Sequence, residues 1–115
     1  MLTLPIKKKW FDMIKLGEKK EEYREIKPYY DSRFKYYIPD LGNIRIINTD
    51  IGFWITPVDD EIFFRNGYSK NSPTIKCKVK IEKGYGKPEW GAEPNKLYYV
   101  LKILSVEEIE WTVYF

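Results

Sequence analysis

Between residues 75 and 82 apolar and charged side chains alternate without a break: Ile75, Cys77, Val79 and Ile81 against Lys76, Lys78, Lys80 and Glu82. A period of two puts the first set on one face of a strand and the second on the other. The chain therefore contains a half-buried strand whose apolar face requires a core. The outer lysines suit a solvated face that resists pairing with other chains, or contact with a phosphate backbone. Cys77, among the inward residues, reads as packing rather than as a nucleophile. Residues 97–105 are apolar on both faces apart from Lys102, the pattern of a central strand.

Shorter elements surround these two. Residues 2–6 read as a first strand with Pro5 near its end. Over residues 7–16 the apolar positions Trp10, Met13 and Ile14 recur at helical spacing with Phe11 beside them, which predicts an amphipathic helix with Trp10, Phe11 and Ile14 in the core. Lys7, Lys8 and Lys9 at its start fit solvent or a nearby anion. Pro28 opens a second short helix carrying Tyr30, Arg33, Phe34 and Tyr37. A turn over 39–43 leads to a strand at 44–47. Residues 48–60 read as a loop or irregular hairpin with Phe53, Trp54 and Ile55 against the body. Residues 62–65 form another strand, ended by the reverse-turn pair Asn66 and Gly67. The stretch 84–94 is a Gly- and Pro-rich loop around Glu89 and Trp90, and Trp111, Val113 and Phe115 suggest a last strand. With two helices, five to seven strands and short connections, the expectation is an α+β fold: a small curled β-barrel, one domain over residues 1–115.

Composition removes whole classes of chemistry. No histidine is present, which excludes Ser-His and Cys-His pairs and the commonest metal ligand. One cysteine permits no intrachain disulfide and makes a zinc site very unfavourable. No Walker A or complete dinucleotide-binding glycine motif occurs. We therefore expect neither metal nor cofactor. No apolar run reaches the length of a membrane span, and the expectation is a soluble cytoplasmic protein with no membrane partner. Residues 1–36 hold ten Lys/Arg and six Asp/Glu, a balance of +4, while the remainder hold ten against eleven, a balance of −1. Positive charge thus gathers in the first third, as an anionic ligand would require. At 17% aromatic residues the chain has more rings than its core needs, and some are expected to meet a partner.

That charge centres on residues 17–24, Gly-Glu-Lys-Lys-Glu-Glu-Tyr-Arg. Gly17 ends the helical pattern in a position suited to a left-handed cap. From residue 22 to 26 the chain reads as extended, so Glu22 and Arg24 share one strand face and Tyr23 the other. Lys19, in the intervening turn, can swing towards Glu22. The spacing Gly17-x-Lys19-x-x-Glu22-x-Arg24 resembles the G-x-K-x-x-E-x-R signature of the ASCH family, a branch of the PUA-like superfamily. The segments Phe64-Arg65-Asn66-Gly67-Tyr68 and Pro88-Glu89-Trp90-Gly91-Ala92 look like those of bacterial and phage members, so the resemblance covers nearly the whole chain. It implies a PUA-like barrel with the signature residues pointing into a cleft, and places Arg65, Asn66 and Tyr68 near that cleft.

Arg24 offers a flat multi-donor fork and Lys19 a point charge for phosphate, while Glu22 accepts from a base amino group or ribose. Tyr23, Tyr29, Arg33 and Trp90 supply surfaces for stacking and phosphate contact. The first expectation is therefore binding of RNA or of a nucleotide or nucleoside. The second is a metal-independent hydrolase with Lys19 and Glu22 catalytic, either a ribonuclease or an acetylcytidine amidohydrolase, since family members resemble both. In the amidohydrolase branch the position of Glu22 is threonine, a departure here. The third is a protein-interaction module in which Lys19, Glu22 and Arg24 form only a structural ion-pair cluster.

Overall fold

In the computed structural model residues 2–34, 37–38, 42–57 and 60–109 are described, the side chains of 37–47 and 54–60 excepted. The elements are β1 (Leu2–Ile6), α1 (Lys8–Lys15), β2 (Glu21–Glu25), α2 (Pro28–Asp31), β3 (Tyr37–Ile38), β4 (Gly42–Thr49), β5 (Gly52–Pro57), β6 (Asp60–Asn66), β7 (Thr74–Tyr85) and β8 (Leu97–Ile109). A 3₁₀ turn, Pro88–Trp90, interrupts the last connection.

Five strands form one sheet in the order β1-β6-β7-β8-β2. β1 runs parallel to β6, and every other pairing in this sheet is antiparallel. The alternation of β7 buries Ile75, Cys77, Val79 and Ile81 completely or nearly so, and Leu4, Ile62, Phe64 and Leu101 from the neighbouring strands complete that face. α1 lays Phe11 and Ile14 on the same core. A register shift between Lys78 and Val79 in the β7–β8 ladder adds local bend and twist. The sheet curls so far that its two edge strands meet, with Arg24 of β2 donating from Nη2 to the Pro5 carbonyl of β1 at 2.9 Å. The fold is α+β, a curled half-barrel of five strands with two helices. β3, β4 and β5 make a separate three-stranded sheet.

Several boundaries move from those expected. The strand expected at 75–82 extends at both ends in β7, and the strand expected at 97–105 runs on to Ile109 in β8. The reason is mutual: β7 and β8 pair from Thr74 and Ile109 through to Tyr85 and Leu97, so each supports the polar end of the other. The second helix is a single turn, and Tyr37 belongs to β3 rather than to that helix. Residues 48–57 form the turn and second arm of the β4–β5 hairpin, and Phe53, near its tip, is 66% exposed rather than tucked inwards. The side chains of Trp54 and Ile55, the centre of the turn at 39–41, and the expected strand around Trp111, Val113 and Phe115 lie outside the described residues. Among the described residues no helix is long and apolar enough to cross a membrane.

Candidate functional site

The end of α1 determines where Lys19, Glu22 and Arg24 go. Gly17 takes φ +79°, its N–H donates to the Ile14 carbonyl, and the Glu18 N–H reaches back to Met13. This paired closure of the last helical turn depends on a left-handed residue at Gly17. The Lys19 N–H also donates to Met13, at 3.0 Å, which folds Lys19 beneath the helix rather than out into solvent.

The Lys19 side chain is fully buried. Its Nζ donates to the Trp90 carbonyl, pairs with Glu22 Oε1 at 3.2 Å, and lies 4.4 Å from the centre of the Trp10 ring. Burial lowers its pKa, opposed by the Glu22 carboxylate, whereas the Arg24 charge reinforces the fall. Glu22 and Arg24 share a strand face as their spacing requires, and Arg24 Nη2 reaches Glu22 Oε2 at 2.9 Å. Arg24 also donates from Nη1 to the Tyr30 hydroxyl at 3.2 Å. Burial works against its charge, but Glu22 beside it carries the net direction of its pKa upwards. Lys19, Glu22 and Arg24 therefore form a continuous ion-paired chain.

Glu22 and Arg24 line a cleft of about 510 Å³ where the ends of β1 and β6 meet the start of α1 and the loop after β7. A cleft of this size lies within the range for small-molecule sites. Rings form much of its wall: Trp10, Tyr23, Tyr68, Trp90 and Tyr98. Tyr23 anchors the loop after β7, because its hydroxyl accepts the Lys87 N–H at 2.9 Å and donates to Glu21 at 2.8 Å; burial raises its pKa. Lys7 and Lys8 stand at the rim, where the first turn of α1 also begins.

Of the residues expected from sequence, Glu22, Tyr23, Arg24, Asn66, Tyr68 and Trp90 line this cleft. Lys19 does not; it sits behind Trp10 and Glu22 and faces a smaller cavity of about 230 Å³ towards β8. Arg65 opens on a neighbouring recess. Tyr29 and Arg33 stand apart on and after α2, with the Arg33 guanidinium 3.4 Å from the Tyr29 ring centre. Sequence reasoning placed Trp10 in the core and gave Tyr98 no role. Trp10 is half-buried because its helical position faces the cleft edge, and Tyr98 was hidden by the uniformly apolar pattern around it.

The carboxylate of Glu22 is the cleft's single acidic group among the described residues. Two cations flank it, and the Tyr23 N–H donates to Oε1 at 3.1 Å. A carboxylate has about four acceptor positions, so one remains for a guest. The Arg24 fork, in contrast, is largely engaged within the protein. Among the described residues no three His, Cys, Asp or Glu side chains gather as a metal would need. Comparisons with protein-family models, curated proteins and solved structures find no match for this chain.

Proposed function

We propose that the cleft binds a nucleobase, presented by a nucleotide or by single-stranded RNA. The observation that carries this reading is a buried, ion-paired carboxylate with one acceptor position left, set in a cleft walled by aromatic rings. Rings stack on a base whatever its identity, and the carboxylate selects for an amino donor on its edge. Positive charge at the rim, from Lys7 and Lys8, favours an anionic ligand. Assignment to the ASCH family and its PUA-like barrel is part of the same proposal, supported by the Gly17, Lys19, Glu22 and Arg24 spacing and by the ion-paired chain in which Lys19, from behind, holds the cleft-lining Glu22 and Arg24. So is a cytoplasmic setting, supported by the lone, buried Cys77.

The test is binding of labelled single-stranded RNA, cytidine nucleotides and N4-acetylcytidine to the protein and to Glu22→Gln and Trp90→Ala. Each substitution is expected to weaken binding by about tenfold or more, the effect of losing one charged hydrogen bond or one base stack. Unchanged affinity in both variants would remove the cleft from consideration.

Hydrolysis is the second reading, favoured by the lowered pKa of Lys19 at its contact with Glu22. It draws less support, because a general base must come within hydrogen-bond reach of its substrate and Lys19 is sealed from the cleft. Release of product from RNA or N4-acetylcytidine in the same incubations, abolished in Glu22→Gln, would reinstate it.

A further inference from the structure

Around the rim from the cleft, on the outer face of the sheet, lies a recess of about 100 Å³ bounded by Thr3, Pro5, Arg65, Gly67 and Tyr68. Three of these, Pro5, Gly67 and Tyr68, also line the main cleft, so the two spaces adjoin. Strand geometry assembles the recess. β1 and β6 run parallel with Thr3 opposite Phe63 and Pro5 opposite Arg65. Leu4, Ile62 and Phe64 are buried in the core, so the intervening Thr3, Pro5 and Arg65 project from the other face.

Arg65 differs from the other arginine at the site. Arg24 is engaged by Pro5, Glu22 and Tyr30. Arg65 makes no side-chain hydrogen bond or ion pair among the described residues, and its Nε is buried without a partner. The Nε of Arg24 is also unpaired, but the rest of that guanidinium is bonded. The rest of the partly exposed Arg65 side chain keeps its donors uncommitted, and a guanidinium without a protein acceptor among the described residues is available to a ligand. A guanidinium presents five donors in a planar fork that matches phosphate, and the Thr3 hydroxyl is a further donor on the same face. The recess holds about three water volumes, room for a compact oxyanion.

We propose that Arg65 binds a phosphate group in this recess, so that the cleft takes a phosphorylated ligand whose base lies against Glu22 and whose phosphate passes over Pro5 and Gly67. The inference rests on the nucleobase reading of the cleft. Because the recess is open on the outer face of the sheet, it accepts a terminal phosphate or a phosphodiester in a continuing strand.

The experiment compares cytidine, its 5′- and 3′-monophosphates, a single-stranded hexacytidylate and inorganic phosphate, by calorimetric titration of the protein, Arg65→Gln and Lys7→Gln. At least one monophosphate, and the hexamer, are expected to bind about tenfold more tightly than cytidine. Arg65→Gln is expected to erase that advantage while leaving cytidine affinity unchanged, and Arg65→Lys to restore part of it. The dependence of log affinity on log salt for the hexamer should flatten by about one phosphate's worth in Arg65→Gln. The inference is overturned if the advantage survives in Arg65→Gln or disappears instead in Lys7→Gln. It is also overturned if inorganic phosphate binds as well as any nucleotide. Should the protein bind neither the cytidine compounds nor the labelled single-stranded RNA of the first test, the nucleobase reading fails first and this one with it; if cytidine binds and Arg65→Gln changes nothing, only the phosphate assignment falls. Arg65 is partly exposed and unpaired, so its variants are expected to fold, and circular dichroism checks this.

Discussion

Lys19 shows how a charged residue can organise a site it does not enter. Its ammonium joins α1 through the Trp10 ring, β2 through Glu22, and the loop after β7 through the Trp90 carbonyl. Lys19→Met keeps the stem but removes the charge, leaving Glu22 with one cation fewer and the Trp90 carbonyl without its donor. Breaking a buried pair from one side costs about 3 kcal/mol, and a urea denaturation midpoint should fall accordingly. Because Trp10 and Trp90 both touch this ammonium or its partner, the tryptophan emission of the folded variant should shift as well. The sign of the pH effect follows from the lowered pKa. Between the folded value and the ordinary lysine value the unfolded chain binds the proton that the folded chain has released, so the contribution of Lys19 to stability increases as pH rises through that window. The stability difference between the protein and Lys19→Met, measured by denaturation at successive alkaline pH values, should move in the protein's favour; a difference that is flat with pH would contradict the assigned direction. Cys77 gives the complementary case. Burial pushes its thiol up to about 12, so a thiol reagent at neutral pH should modify it only after denaturant opens the core.

Among the elements, the loop between β7 and β8 is held by backbone positions that admit no side chain. Gly91 has φ +100°, and a Cβ there would lie 3.0 Å from the Trp10 ring. Gly91→Ala therefore combines left-handed strain of about 1 kcal/mol with displacement of the loop from α1. The expected outcome is a lower thermal midpoint together with weaker RNA binding, since Trp90 moves with the loop; normal binding with only the stability loss would show that Trp90 does not need this seat. How much of this was legible in the sequence depends on the distance over which each feature is fixed. The cap at Gly17 and the shared face of Glu22 and Arg24 follow from a helix stop and a two-residue period, both local rules, and the structure shows the left-handed cap and the Glu22–Arg24 pair as those rules require. The alternation in β7 was equally plain because each residue there reports its own face. That the Trp90 carbonyl would meet Lys19 was not legible, because no local rule links positions 71 residues apart. The single turn of α2 escaped for a related reason. Its aromatic spacing continues to Tyr37, but tertiary pairing draws Tyr37 into β3 against Asn43.

For the molecule as a whole, curl and cleft have one origin. The sheet's edge strands are β1 and β2, and the described bond between them is made by Arg24, whose Nη2 holds the Pro5 carbonyl and the Glu22 carboxylate at 2.9 Å each. Pro5 lacks an N–H, so β1 cannot donate a ladder bond at that position, and a side chain supplies the connection instead. The same guanidinium thus fixes the opening of the half-barrel and the orientation of the carboxylate that the proposed ligand meets. Arg24→Met should retain much of the side-chain volume while releasing both. We expect a loss of about 3 kcal/mol, the scale for stranding a buried charge partner. Its distribution is the sharper test, because β1 also pairs with β6 and β2 with β8, so each strand keeps its ladder. Amide exchange measured under native conditions should accelerate selectively in β1 and β2, while β7 and β8 exchange only at the rate set by the lowered global stability. Uniform acceleration across all five strands would mean that Arg24 contributes to general stability alone, and that the half-barrel keeps its curvature from the β7 irregularity without the bridge.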